Sequence, residues 1–548
     1  MVFHKHLVDL HHREIYPAQV TIENGKIKHI LRTNNAPADG GYLMPGFVDA
    51  HVHIESSMMP PTEFARLAVV HGTVATISDP HEIANVIGAK GVHYMLDEAR
   101  RVPLKFCFGA PSCVPATTFE TAGDTLGADA VEELLKHPEI GYLSEMMNFP
   151  GVLFNDPEVM SKIGAAKRLA KPIDGHAPGL MGVDAQKYFA TGITTDHECF
   201  TYEEGKNKAE LGVKILIREG SAAKNFEALW PLIEAFPKQI MFCSDDKHPD
   251  DLIHGHINQL AARAIAKGCE LFNVLRAACI HPVEHYHLPV GLLRQGDAAD
   301  FIVVSDLHKF EVLETWINGQ QVAKNGTSLI PHLPSEMPNR FKALPKKPSD
   351  FALQTTSATG KVQVIQVLDG EIVTEKKEAT VPVENHHLKP DPNHDILKIT
   401  VVNRYTEIAP PAMGFVRGFG IKNGALASSV AHDSHNIVAI GTSDELLCAA
   451  VNAVITTKGG ISAVDGKGNI QSLPLPIAGL MSSEDGYVLA KKYSGIDAWT
   501  KSHLGCVLGA PFMTLSFLAL PVIPALKMTD LGLFDVATFN FTEVELPG

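Results

Sequence analysis

The chain has 548 residues but only 8 cysteines, and no Cys-x-x-Cys pair. Thiols this sparse do not make a disulfide framework, so reduced cysteines in a cytoplasmic protein are expected. Basic charge is also short: 47 Lys and Arg stand against 62 Asp and Glu, a formal net charge of −15. An acidic chain is poorly suited to following a phosphate backbone or an anionic membrane surface, so neither nucleic acid nor membrane is an expected partner. The opening residues, Met1 to Pro17, lack the apolar core of a signal peptide. One long stretch, Cys506 to Leu526, is almost free of charge, but it carries Pro511, Pro521, Pro524 and Gly509. That density of breakers reads as buried strand and turn rather than a membrane helix, and a soluble protein is expected. Internal repeats and low-complexity tracts are absent as well.

What is present is ample material for cores: 45% hydrophobic and 20% charged residues. At ~100–200 residues per domain, two to four units are expected. Residues 1–44 and 291–330 hold short alternating runs with Asn24-Gly25 and Asn318-Gly319 turns. They read as one small β side domain built from both flanks of what lies between them. Residues 45–290 alternate short runs rich in Val, Ile and Phe with longer amphipathic segments. The runs are 46–53, 72–80, 105–113, 140–146, 172–178, 193–198, 214–220 and 239–246. The segments 83–101, 158–170, 221–236 and 252–267 read as helices, with Ser221 as an N-cap. Eight strands alternating with helices over this length is the arithmetic of an α/β, TIM-like (β/α)8 barrel. A doubly wound sheet is the alternative, but no Gly-rich dinucleotide fingerprint follows the first strand. Residues 331–350 form a Pro-rich linker or extended wrap, and 351–548 a separate C-terminal α/β or α+β domain.

The chemistry stands at the ends of the runs. They close on His51 and His53, on Asp79, His81 and Glu82, on Glu145, on His176, on His197 and Glu198, on Arg218 and Glu219, and on Asp245 and Asp246. In a barrel these ends share one rim. Gathering so many charged groups without a compensating cation is costly. His51 and His53, two apart on a strand, project from the same face. A lone His-x-His is ordinarily two satisfied histidines. Here two more imidazoles and two carboxylates end other strands. His51, His53, Glu145, His176, His197 and Asp245 therefore suit two divalent ions better than one.

At these residues a resemblance becomes specific. Met44 to His53 (MPGFVDAHVH) resembles the first barrel strand of the amidohydrolase superfamily, and Gly291 to Asp300 (GLLRQGDAAD) its return to the side sheet. More closely, His53–Met59, Asp79–Glu82, Arg218–Asn225, His432–Ile437 and Leu475–Met481 resemble runs of the adenine deaminase family, over nearly the whole chain. The resemblance implies a cytoplasmic hydrolase acting on a cyclic amidine. Free adenine would become hypoxanthine and ammonia in purine salvage or nitrogen use, by attack of a metal-bridged hydroxide on C6. It implies Mn or Fe, with Zn also suited to such ligands, in a protein expected to be a homo-oligomer. Carried over by position, His51, His53 and Asp245 hold the first metal, Glu145 bridges, and His176 and His197 hold the second. Asp245 is expected to accept the proton of the attacking hydroxide. Glu82, with Asp79 next, is expected to protonate the ring nitrogen beside C6. His81, Arg218 and Glu198 are candidates for contact with substrate.

Blander readings stand beside these. Asp79 reads equally as a cap of the following helix. Glu198 orders a neighbour such as Arg218, and Arg218 sits in a structural ion pair. The His432-Asp433-Ser434-His435 run reads as a turn-rich interface before a metal site, and its domain as a cover for the barrel mouth. Another amidohydrolase reaction, such as opening a cyclic amide, would use the same metals. A catalytically dead scaffold would be expected to have lost ligands, and all six positions are filled. A deaminase acting inside nucleic acid would show a Pro-Cys-x-x-Cys signature, which is missing.

Overall fold

The computed structural model describes residues 1–34 and 40–547. The N-terminal strands are β1 (Val2–Asp9), β2 (Glu14–Glu23), β3 (Lys26–Arg32) and β4 (Tyr42–Pro45). Each of the eight apolar runs then contributes one strand: β5 (Phe47–Val52), β6 (Thr73–Ser78), β7 (Lys105–Ala110), β8 (Ile140–Met146), β9 (Ile173–Gly175), β10 (Thr195–Asp196), β11 (Lys214–Arg218) and β12 (Ile240–Cys243). β5 to β9 pair in parallel, as do β10 to β12. The ring closes where Asp245 N donates to His51 O at 2.9 Å and His53 N to Asp245 O at 3.3 Å. Between β9 and β10, Thr194 N donates to Ile173 O at 3.0 Å. This is a (β/α)8 barrel, and the closure itself carries candidate metal ligands.

Past the barrel come β13 (Phe301–Val304), β14 (Val312–Ile317), β15 (Gln320–Lys324) and β16 (Thr327–Ser328). They join the N-terminal strands in one eight-stranded sheet, ordered β16-β15-β14-β13-β4-β1-β2-β3. β4 is the seam, parallel to β1 and antiparallel to β13. Asn24 and Gly25, and likewise Asn318 and Gly319, all take positive φ between 49° and 75°, as tight hairpin turns of Asn-Gly require.

Four local expectations need correction. The segment 83–101 is two helices, His81–Ile87 and Ala89–Ala99, broken at Gly88, whose φ is 65°. Ser221 caps no helix: its hydroxyl donates to Asp251 Oδ2 at 2.6 Å. Only the short turns Phe226–Leu229 and Leu232–Ala235 follow, with Pro231 between them. The segment 252–267 divides into Pro249–Leu252 and Ile257–Ala266. Finally, the charge-poor stretch 506–526 contains a buried helix, Pro511–Phe517, rather than strands. Proline is harmless there because a first-turn N–H needs no helical partner.

Residues 331–347 form no helix or strand and run from barrel to C-terminal sheet. Tyr94 Oη donates to Glu336 O at 3.2 Å, and Lys342 N to Arg404 O at 2.7 Å. The C-terminal region holds a second eight-stranded sheet, whose central strands include Ile396–Val402, Gly424–Ser428 and Ile437–Gly441. The helix Asp444–Thr456 covers one face through Leu447, Val451 and Val454. The other face, with Ile399, Leu426 and Val438, shares one continuous core with the barrel. Each such side chain contributes ~1.5–3 kcal/mol on burial, so the C-terminal domain is fastened down over the barrel. Among the described residues, no helix is long and apolar enough to cross a membrane.

Candidate metal centre at the barrel mouth

The six expected ligands converge at the C-terminal ends of the strands, and all are buried. His51 and His53 leave β5 on one face, and their Nε2 atoms lie 3.1 Å apart. His53 Nδ1 donates to the carbonyl of Asp79 at 3.2 Å, which leaves the Nε2 lone pair free for a cation. Asp245 Oδ1 lies 3.4 Å from His51 Nε2 and 3.2 Å from His53 Nε2. Its other oxygen accepts from Arg218 Nη1 at 2.7 Å. Asp245 has a φ of 54°, a strained backbone for a residue other than glycine, held by the barrel-closing hydrogen bonds.

Glu145 is shared between two imidazole pairs. Its Oε1 is 3.2 Å from His53 Nε2 and 3.9 Å from His51 Nε2. Its Oε2 is 2.6 Å from His176 Nδ1 and 3.2 Å from His197 Nε2. The electrostatics call for positive charge at the same point. Burial opposes a charge on His176, yet Glu198 and Glu145 outweigh it and push the ring up to about 9. Burial likewise opposes ionised Glu145, but His176 and His197 hold it well below the usual carboxylate range. His51 Nδ1 and His176 Nε2 are buried without a hydrogen-bond partner. Closely spaced imidazole nitrogens, acid oxygens aimed between them and orphaned ring atoms fit divalent cations.

The substrate-side candidates also gather here. Glu198, Arg218, His81 and Glu82 line a cavity of about 30 Å³ together with Glu145 and Asp245. Arg218 Nη2 donates to Glu198 Oε2 at 3.0 Å, so Arg218 ties Glu198 to Asp245 in one buried ion-pair network. Glu219 is not part of it and instead pairs with Arg263. Asp79 stands behind His81, with a carboxylate oxygen within 4.8 Å of ligand atoms of His53, His81 and Glu145. Its Oδ1 accepts from His81 N at 3.1 Å, and its Oδ2 lies 3.1 Å from His81 Nδ1.

Several lining residues escaped the reading of the sequence. Ile372, Phe517, Leu520 and Ile523 reach the cavity from the C-terminal domain, as do His432 and Asp433. The charge-poor run 506–526 was the available signal for Phe517, Leu520 and Ile523. Isolated Ile372 carried none. In the His432–His435 run, both histidines contact Glu82 of the barrel, three buried groups spaced so that they could also hold a cation.

Residues 42–322 match the amidohydrolase family, so the barrel and its side sheet define an amidohydrolase. Residues 371–540 match the adenine deaminase C-terminal domain. A protein named adenine deaminase from Sulfurovum sp. (strain NBC37-1) is 57% identical over 536 residues, covering 98% of each chain. Proteins of the same name from Salinibacter ruber and Methanosarcina acetivorans are 54% and 50% identical, each over 98% of this chain and 97% and 98% of their own. The chain belongs to the adenine deaminase family.

Proposed function

We propose that the chain hydrolyses free adenine to hypoxanthine and ammonia at the barrel mouth. The observation that carries this is the meeting of two parts. The C-terminal region that matches the adenine deaminase domain closes over the rim where the acid and imidazole cluster stands. His51, His53 and Asp245 would hold one divalent ion and His176 and His197 a second, with Glu145 between them. Mn or Fe is favoured, and Zn suits the same donors. When bound, such ions supply Lewis acidity that makes water a nucleophile at neutral pH.

The chain's own groups do the rest. Asp245, fixed by Arg218, takes the proton that water sheds on attacking C6 and carries it to the departing amino group. Glu82 passes a proton to the ring nitrogen beside C6. Asp79 holds His81 on the rim. Glu198 and Arg218 face the substrate edge, and the apolar residues above keep out bulk water. The division into residues 1–44 with 291–330, 45–290, 331–350 and 351–548 belongs to the same reading, as does a cytoplasmic homo-oligomer. All eight cysteines are free in the structure, which supports a reducing compartment.

The test is ammonia release by metal-loaded protein from adenine, adenosine, cytosine and hydantoin. Adenine is expected to react fastest, and Asp245→Asn to abolish turnover. Silence towards adenine with another substrate consumed would overturn the reading.

A further inference from the structure

Glu82 is the point at which the barrel's second strand end reaches the C-terminal domain. It stands in the first turn of the helix His81–Ile87 and is buried. Its two oxygens go to different imidazoles of one turn: Oε1 lies 2.5 Å from His432 Nδ1, and Oε2 contacts His435 Nε2. Each oxygen is thus paired directly with one ring nitrogen of the C-terminal domain.

The two histidines are not equivalent. Ala431 N donates to His435 Nδ1 at 3.2 Å, so that nitrogen is an acceptor and the proton sits on Nε2, facing Glu82. His435 also has a φ of 54°, a strained conformation kept only where the surroundings enforce it. It is a fixed neutral donor. His432 lines the cavity, stacks on Phe517 at 4.4 Å between ring centres, and has no partner for Nε2. Burial disfavours a charge on it, but Glu82, Asp246 and Asp433 outweigh burial and push it up to about 9.

We propose that His435 and His432 are positioning residues for the deamination: His435 locks the Glu82 carboxylate, and His432 supplies the proton that Glu82 hands to the purine ring. This rests on the place given to Glu82 above. The proton leaves His432 Nδ1 and forms an O–H bond on Glu82. That bond breaks as an N–H bond forms on the ring nitrogen beside C6. When the adduct collapses, its C6 hydroxyl proton returns to the pair, and no electrons are transferred. The C-terminal domain thereby completes the acid side of a site whose metal side belongs to the barrel.

The experiment compares full-length, metal-loaded Glu82→Gln, His432→Asn, His435→Ala and His435→Gln for kcat, KM and bound metal. Asn at 432 keeps a donor but has no proton to lend. His432→Asn is therefore expected to lower kcat by about 100-fold, with KM within threefold and metal content unchanged. His435→Ala is expected to lower kcat by at least tenfold, and His435→Gln, which restores an N–H donor, to recover most of it. If Glu82→Gln is inactive while the histidine variants stay within threefold of the parent, the inference falls and the role of Glu82 stands. If Glu82→Gln is fully active, both fall. Loss of metal from His432→Asn would also overturn the inference, because it would make that residue's role structural.

Discussion

The barrel rim and the C-terminal roof face each other across one cavity with opposite chemistries. The rim is almost wholly ionisable: His53, Glu145, His176, His197, Glu198, Arg218 and Asp245. The roof is chiefly apolar: Ile372, Phe517, Leu520 and Ile523, with His432 and Asp433 at its edge. The rim is costly to build, since each buried charge must be matched by another or by an ion. The roof lowers the local dielectric, which strengthens every interaction below it. The difference suggests a division of labour in which rim residues govern metal and proton transfer, and roof residues govern how a flat base is held and dried.

The sharpest way to break that division is Glu145→Gln. The substitution nearly keeps the shape but removes the charge aimed at both imidazole pairs, 3.2 Å from His53 and 2.6 Å from His176. Activity is expected to fall more than about 1,000-fold, with bound metal per chain falling in parallel. Elemental analysis beside ammonia assays decides it. A variant with a full metal complement would remove Glu145 from the ligand set.

A smaller effect is expected from the roof. Leu520→Ala opens space above the cavity without touching a charged group. Truncating a buried leucine costs about 2–5 kcal/mol of stability. KM for adenine is expected to rise about tenfold, the equivalent of roughly 1.4 kcal/mol of binding, with metal content unchanged. Metal loss in this variant would show that roof and rim are one unit, and the contrast drawn above would fail.

The rim was legible in the sequence for a physical reason. Strand residues alternate faces, so His51 and His53 had to point together, and a barrel brings all C-terminal strand ends to one side. Knowing the period and the run boundaries sufficed to gather residues as far apart as His51 and Asp245. The roof obeys no such rule. Glu82 meets His432 and His435 across some 350 residues, and that pairing depends on how two domains dock. The stretch 506–526 reads as buried from its composition, but apolarity alone does not separate strand from helix, and Pro511 reads as a breaker although it opens the helix. Ser221 shows the same limit: a hydroxyl before an apolar run caps a helix only if no better partner waits, and Asp251 does.

The mildest test concerns stability alone and compares the two regions through buried neutral histidines. His248, after β12, accepts from Tyr493 of the long helix Gly486–Leu504 at 2.6 Å and so sits at the junction of barrel and C-terminal domain. His281 lies within the barrel, its Nδ1 2.8 Å from the carbonyl of Ile240. Burial pushes His248 down to about 3 and His281 to about 4. The folded chain therefore binds fewer protons than the unfolded one between those values and about 6.5. Stability from each is full above pH 6.5 and is lost as pH falls below it, about 2 kcal/mol per histidine between pH 7 and 5. Urea unfolding of His248→Gln and His281→Gln at both pH values is expected to show a shallower dependence than the parent, with kcat at pH 7 little changed. If only His281→Gln flattens the dependence, the junction opens before the barrel unfolds, and the roof is the less firmly held of the two. An unaltered slope in both would mean that neither ring stays neutral in the folded chain.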